Sequence, residues 1–234
     1  MSALDHPQIA KVIDTFVEEE RSYLVLDHVP GENLRQTVRV RGPQLESVVL
    51  RWAKDMANML AYLHSQEPAI VHRDFTPDNL LMKDDGTLVL IDFGAANQFV
   101  GTATGTLVGK QSYMPPEQVR GKITRQSDIY AMGCTLHFLL TGEDPEPLST
   151  SYPKSISTHI SSALNQLVAD MTRLELSERL ESAVVLRDRI ESLLEKPKLK
   201  LAAEKMSDPQ VDEAAEGTII ALPSGKLKVS EKQA

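Results

Sequence analysis

Three polar residues in the middle of the sequence are of the types that hold a metal ion and move a proton. Asp74 and Asn79 stand five residues apart, and Asp92 follows the apolar run Leu88–Ile91. Carboxylate and amide oxygens are the hard ligands that Mg²⁺ prefers. A carboxylate can also accept the proton of an attacking hydroxyl. This set fits phosphoryl transfer, which needs positioned metal ions and a base rather than covalent help from the protein.

Two short motifs carry these residues in a fixed order. His72-Arg73-Asp74 alone occurs by chance, and an Asp before Phe-Gly, as in Asp92-Phe93-Gly94, is a common turn. Together, in this order and flanked by apolar strands, they match the signature set of protein kinases. The sequence therefore resembles eukaryotic-type Ser/Thr protein kinases from about Leu4 to Lys196. Its segment 109–117, ending in Pro115-Pro116-Glu117, is similar to bacterial members, including cyanobacterial ones.

The resemblance implies an α+β, protein-kinase-like fold with three parts. Residues 1–29 would be a remnant of the β-rich N-lobe, comprising its last two strands and the hinge. Residues 30–196 would be the mostly helical C-lobe. Residues 197–234 would be a polar tail, in which Thr218–Leu222 and Lys226–Val229 could form a hairpin. The sequence thus predicts an incomplete N-lobe on a complete C-lobe.

Apolar periodicity and turn residues predict the individual elements. The apolar runs Ile9–Val17 and Tyr23–Val29 predict an antiparallel hairpin. Leu80–Met82 and Leu88–Ile91 predict a second hairpin around a tight turn. Helices are predicted over 32–40, 45–64, 127–140, 160–174 and 182–194. The Gly- and Thr-rich stretch 94–109 is predicted to be a loop.

The resemblance assigns roles in phosphoryl transfer from ATP to a protein Ser or Thr hydroxyl. Asp74 would be the catalytic base, and Asn79 and Asp92 would hold Mg²⁺. Arg73 would pair with a phosphate on the activation segment, for which Thr106 is the best-placed acceptor. The alternative is that Thr106 and the threonines near it only fill a flexible loop.

The resemblance also places the adenine and ribose of ATP. Backbone groups of Asp27 and Val29 would bond the adenine edge, and Leu81 would form its apolar floor. Leu26 would guard the back of the pocket, and Glu32 would reach the ribose. Leu26 and Leu81 are equally explained by plain core packing, because pocket and core residues look identical in sequence.

Three further residues are implied to be structural. Glu117 closes the segment that opens at Asp92, and Arg179 falls where the family keeps an arginine against that glutamate. The two would form an ion pair. Asp128, near the start of a long apolar helix, would hold the backbone of the catalytic loop.

The sequence departs from the family at the phosphate clamp. It has neither the family's glycine-rich loop nor its clamp lysine, and the only lysines before Asp74 are Lys11 and Lys54. Preorganised charge is the main catalytic contribution in such sites. We therefore expect the 234-residue chain alone to have little or no kinase activity.

A lysine and a threonine also appear exchanged. Thr76 stands two residues after Asp74, where the family usually has lysine, and Lys110 stands where the family usually has threonine. This suggests that Lys110 supplies the cation near the transferred phosphate and Thr76 the neighbouring hydroxyl. The alternative is that Lys110 is an ordinary solvated loop lysine.

Composition argues against some classes of protein and indicates an expected location in the cell. A net charge of -8 argues against a nucleic-acid partner. No run approaches the 18 apolar residues of a membrane span. The single cysteine, Cys134, cannot form an internal disulfide, so a cytoplasmic location is expected. Two other interpretations stay open: a pseudokinase-like protein-binding module, and a truncated kinase fragment that folds poorly.

Overall fold

The N-terminal part of the chain forms a two-stranded antiparallel hairpin. A computed structural model describes residues 4–92 and 110–207. Strand β1 (Val12–Glu18) pairs with β2 (Arg21–Leu26), and Phe16 lies opposite Tyr23. Both residues of the two-residue turn, Glu19 and Glu20, have positive φ, at 46° and 64°. Two-residue turns of this kind match the right-handed twist of the flanking strands. The turn is therefore shorter than the segment 18–22 that separates the two predicted strands.

A second small sheet lies next to the helical part. It contains β3 (Glu32–Asn33), β4 (Leu80–Met82) and β5 (Leu88–Leu90), all antiparallel and in this order. The predicted hairpin of β4 and β5 is present. The amide of Ala10 donates to the carbonyl of Leu90 at 2.9 Å, and this bond ties the N-terminal segment to β5.

The other regular elements in the described ranges are helices. They are α1 (Leu34–Arg41), α2 (Glu46–His64), α3 (Pro116–Val119), α4 (Arg125–Thr141), α5 (Ser162–Met171) and α6 (Ala183–Ser207). Three short 3-10 helices cover Pro77–Asn79, Lys110–Tyr113 and Pro153–Ser155. No helix in the described ranges combines the length and apolarity needed to cross a bilayer.

The core is built around α4. Every residue of α4 from Ser127 to Thr141 is buried, as expected of a helix that is surrounded by other elements. α2 contributes one apolar face, on which Val49, Met56 and Leu60 are fully buried. Its buried positions recur every three or four residues, which is the periodicity that predicted the helix.

Two helices differ from their predicted limits for identifiable reasons. α1 starts at Leu34 rather than Glu32, because Asn33 caps it: the Asn33 side chain accepts from the amide of Gln36. α6 runs to Ser207, beyond Lys196, where the sequence suggested a linker. The Lys, Ala and Glu that made this stretch look like a linker are also good helix formers. The predicted hairpin of residues 218–229 lies outside the described residues.

Candidate active site

The predicted catalytic aspartate lies in a buried loop between α2 and β4. Asp74 is 7% exposed. The side-chain amide of Asn79 donates both to the Asp74 carbonyl at 2.8 Å and to its Oδ2 at 3.0 Å. Both amide hydrogens are thus used within the loop, and the Asn79 Oδ1 has no donor among the described residues. This oxygen is available as a ligand for a cation.

The turn that closes this loop follows from its sequence. Pro77 occupies the first position of the 3-10 helix Pro77–Asn79, where a proline loses no hydrogen bond because its missing amide would have no partner. The Asn79 amide donates to the carbonyl of Thr76 at 3.1 Å. β4 begins directly afterwards, so Asn79 is held between a short helix and a strand.

Asp128 fixes the front of the loop from α4. Its fully buried carboxylate accepts from the backbone amides of His72 and Arg73, both at 2.8 Å. His64 of α2 lies 2.9 Å away through Nε2. One carboxylate therefore joins two helices to the catalytic loop, in the position that the sequence predicted for Asp128.

Arg73 has a strained backbone that its neighbours hold in place. Its φ is 72°, in the left-handed region that a long side chain seldom adopts. Asp128 accepts from its amide, and the side chain of Gln118 donates to its carbonyl at 3.0 Å. Strain of this kind persists only where the surroundings over-determine it, and such places cluster at functional sites. The Arg73 side chain is exposed.

His72 lies beneath the site among carboxylates. It is 1% exposed and packs edge-on against Phe75, with ring centroids 5.6 Å apart. Burial lowers the pKa of His72, and the opposing effects of Asp128, Asp74 and Asp92 do not reverse this. The imidazole is therefore neutral at pH 7.

The second predicted metal ligand, Asp92, lies next to the first. The amide of Ile91 donates to the Asn79 carbonyl at 2.9 Å, which places the residue after it beside the catalytic loop. Asp92 is exposed and has a φ of 59°, a conformation that Asp tolerates better than most residues. No cluster of three or more His, Cys, Asp or Glu occurs in the described parts of the chain. Two protein ligands completed by phosphates and water nevertheless suit Mg²⁺.

Thr76 is a buried hydroxyl beside the base. It is 1% exposed, and its amide donates to the Asp74 carbonyl at 2.9 Å. Within the described ranges its Oγ1 has no hydrogen-bond partner. Burying a hydroxyl without a hydrogen-bond partner is costly. Lys110 begins the 3-10 helix Lys110–Tyr113.

Glu117 and Arg179 form a buried ion pair below the activation segment. The two guanidinium nitrogens Nη1 and Nη2 lie 2.6 Å and 3.1 Å from the two carboxylate oxygens. Ser127 also donates to Glu117, at 2.8 Å. Burial alone would raise the pKa of Glu117, but the hydrogen bonds and charge of Arg179, together with bonds from the backbone and Ser127, hold this pKa below its usual range.

The predicted hinge has backbone groups available for a ligand. The amide of Asp27 donates to Lys11 at 2.8 Å, whereas the Asp27 carbonyl and the Val29 amide have no backbone partner in the described segments. Leu26 packs against the core, in agreement with the plain packing alternative. Leu81 is half-buried and is not among the side chains that pack against the core.

The structure places Glu32, the predicted ribose contact, in a separate cleft. It lines a cleft of about 430 Å³ between α1, α2 and the β4–β5 turn, together with Trp52 and Met82. None of the predicted catalytic or metal-binding residues lines this cleft. Thr106, the predicted phosphate acceptor, lies outside the described residues.

Sequence reasoning missed one part of the site. Arg35 of α1 contacts Asp78 of the catalytic loop, Tyr113 and Asp144. Asp78 lies inside the motif that was recognised, but no local pattern marks a partner 43 residues earlier in the chain.

Comparison with known proteins agrees with this geometry. The family model described as "Protein kinase domain" matches residues 1–206. Serine/threonine-protein kinase B of Synechocystis is 34% identical over 206 residues, which cover 80% of this chain and 35% of that protein. Serine/threonine-protein kinase PrkC of Bacillus subtilis is 36% identical over 148 residues, covering 62% and 22% of the two chains. The chain thus spans about a third or less of the length of these two relatives.

Solved structures show the same fold. A structure of Rad53 residues 1–466 in complex with AMP-PNP is 25% identical, with a TM-score of 0.66 over 80% of this chain and 51% of that one. The kinase domain of Mycobacterium tuberculosis PknI superposes with a TM-score of 0.67, covering 82% and 73%. At 24% identity this second likeness concerns the fold alone. The catalytic loop, the buried pair of Glu117 and Arg179 and these matches together show that the chain belongs to the protein kinase domain family.

Proposed function

We propose that this chain carries the catalytic half of a Ser/Thr protein kinase, which transfers the γ-phosphate of Mg²⁺-ATP to a protein hydroxyl. The observation that carries the proposal is the pairing of Asp74 with Asn79 in a buried loop fixed by Asp128. Asp74 orients the incoming hydroxyl and accepts its proton as the hydroxyl oxygen bonds to the γ-phosphorus, while the bond from that phosphorus to the β–γ bridging oxygen breaks and ADP leaves. Asn79 and Asp92 would hold Mg²⁺ through their side-chain oxygens, and the bound metal would neutralise charge on the phosphates.

Backbone preorganisation supports this role. Asp128 and Gln118 hold the strained Arg73 backbone directly before Asp74, so the carboxylate need not reorganise when substrate binds. On the nucleotide side, the Asp27 carbonyl and the Val29 amide suit the adenine edge, and Leu81 suits its floor. Glu32 as a ribose contact has less support, because it lines the separate cleft.

The exchanged pair Thr76 and Lys110 extends the proposal to the phosphate. The buried, unpaired Oγ1 of Thr76 beside Asp74 supports a role for this hydroxyl at the transferred group. Lys110 then supplies the cation from the activation segment. Arg73, with an exposed side chain, pairs with a phosphate on Thr106 when that residue is modified.

Phosphotransfer by the purified chain tests the proposal. Label from γ-labelled ATP is measured on a generic protein substrate, with phosphoserine and phosphothreonine identified in the product. Because the clamp lysine and glycine-rich loop are not in this sequence, we expect turnover about 100- to 1,000-fold or more below that of complete kinases. The slow incorporation should disappear in Asp74→Asn. Equal rates in the two chains would remove the role of Asp74, and robust turnover would refute the expected weakness.

Lys110 is tested in the same assay against a matched lysine. Lys110→Ala should lower the residual rate by about tenfold or more, because a cation next to developing phosphoryl charge is lost. Lys122→Ala, which removes an exposed lysine of the same lobe, should leave the rate unchanged. Equal rates in both variants would mean that Lys110 is a solvated loop lysine.

A further inference from the structure

A single arginine lies at the junction of three elements around the site. Arg35 projects from α1, and its side chain is only 11% exposed. Its Nε lies 2.8 Å from Asp78 Oδ2, and its Nη1 lies 3.0 Å from Asp144 Oδ1. Its Nη2 donates to the Tyr113 hydroxyl at 3.1 Å. Three nitrogens of one planar group thus reach three separate segments of the chain.

The contacts around Arg35 form a closed network. The Tyr113 hydroxyl donates in turn to Asp144 Oδ1 at 2.6 Å. The guanidinium also stacks over the Phe138 ring of α4, with Cζ 4.6 Å from the centroid. The rigid fork of an arginine is suited to such geometry, whereas the point charge of a lysine is not. The network therefore fixes relative positions as well as supplying attraction.

Packing alone does not require a charge at this place. α1 already buries Leu34 and Val38 against the core. Replacing a buried ion pair by apolar residues of similar size is often neutral or stabilising, so a buried arginine is weak evidence for a contribution to stability. The partners of Arg35 point to another role, because Asp78 is adjacent to a proposed site residue and Tyr113 lies in the same short helix as another.

The two positions belong to different segments of the site. Asp78 directly precedes Asn79, the predicted metal ligand whose amide holds Asp74. Tyr113 ends the 3-10 helix that begins at Lys110. We propose that Arg35 is a positioning residue that couples the catalytic loop to the end of the activation segment. The effect that Arg35 would have on catalysis rests on the proposed phosphoryl transfer. The contacts that support the coupling do not depend on that proposal.

Hydrogen exchange of single backbone amides in the 234-residue chain tests this coupling without any nucleotide. The two reporters are the amide of Asn79, bonded to Thr76, and the amide of Met114, bonded to Gln111. In Arg35→Met both should exchange about tenfold faster, because local opening no longer breaks charged hydrogen bonds. Amides of α4 should be unchanged. Arg39→Met, an exposed arginine of the same helix, is the matched control and should change neither reporter.

Two milder variants separate coupling from general loosening. Tyr113→Phe removes only the link to the activation segment, so exchange should quicken at Met114 and not at Asn79. Arg35→Lys keeps the charge but cannot reach all three partners. At most one reporter should therefore keep the protection from exchange that it has in the unmodified chain. Unchanged reporters in Arg35→Met, or equal acceleration throughout α4, would overturn the proposal. An unchanged Met114 in Tyr113→Phe would overturn it as well, even if Arg35→Met fails to fold. Because no nucleotide is present, these outcomes are independent of whether the chain binds ATP.

Discussion

The helical lobe around α4 and the β1–β2 hairpin differ sharply in how deeply their side chains are buried. In α4, all residues from Ser127 to Thr141 are buried. In β1, only Val12 is buried, while Ile13 and Val17 are 62% and 72% exposed. Within the described residues no third strand joins this hairpin. Such a two-stranded sheet is marginally stable in water by itself.

The difference separates the two halves of the candidate site. Asp74 and Asn79, the proposed base and one proposed metal ligand, are attached to the helical lobe through the buried contacts of Asp128 and Asn79. The predicted adenine contacts at Asp27 and Val29 follow directly after the exposed hairpin. The proposed catalytic residues Asp74 and Asn79 therefore lie among more buried contacts than the proposed adenine contacts do.

The ion pair below the activation segment should give the largest effect. Arg179→Met leaves the carboxylate of Glu117 buried without its cation, and we expect a loss of about 3–5 kcal/mol in the free energy of unfolding. Chemical denaturation measures it. Arg187→Met breaks an exposed pair with Asp188 and should change the free energy by less than about 1 kcal/mol. Similar losses in the two variants would show that the helical lobe does not depend on its buried pair.

Apolar truncation compares the two regions directly. Leu60 of α2 is fully buried, and Leu60→Ala should cost about 2–5 kcal/mol. Val17 of β1 is mostly exposed, and Val17→Ala should cost within about 0.5 kcal/mol. The same denaturation experiment measures both. A large loss in the free energy of unfolding from Val17→Ala would mean that the hairpin is covered in solution. The difference in burial between the two regions would then disappear.

Acid should destabilise the helical lobe through His137. Burial lowers the pKa of His137 to about 4, from an ordinary value of 6.5. Between these values the unfolded chain binds more protons than the folded one, so the stability contributed by the neutral ring is lost as the pH falls from 6.5 toward 4. The loss should reach roughly 2–3 kcal/mol in that window.

A substitution isolates this histidine. Unfolding of His137→Asn should depend less on pH between 6.5 and 4, because the buried titrating ring is gone. His159→Asn removes an exposed histidine and should keep the dependence of the unmodified chain. Identical pH profiles in all three chains would show that the acid sensitivity arises elsewhere.

Local signals explain why much of the molecule was predictable. The motifs around Asp74 and Asp92 span a few residues each, and their order along the chain is visible in the sequence. The hairpins and α2 follow from alternation and helical spacing over neighbouring positions.

Other features depend on contacts that have no local pattern. Arg35 meets Asp144 across 109 positions, and Glu46 accepts from Ser161 across 115. The end of α6 was missed for a different reason: its charged residues are typical both of linkers and of solvated helices. Tertiary packing decides such cases rather than composition.

Nucleotide-dependent stability of the unmodified chain tests the central claim, which is that Asn79 and Asp92 form a usable metal–phosphate site. Thermal unfolding is followed with ATP, with and without Mg²⁺, and compared with Asp92→Asn, whose exposed side chain makes a folding defect unexpected. At ten to a hundred times the dissociation constant, Mg²⁺-ATP should stabilise the chain by about 1.4–2.7 kcal/mol. This gain should vanish without Mg²⁺ and in Asp92→Asn. No stabilisation, or equal stabilisation in the variant, would contradict the claim.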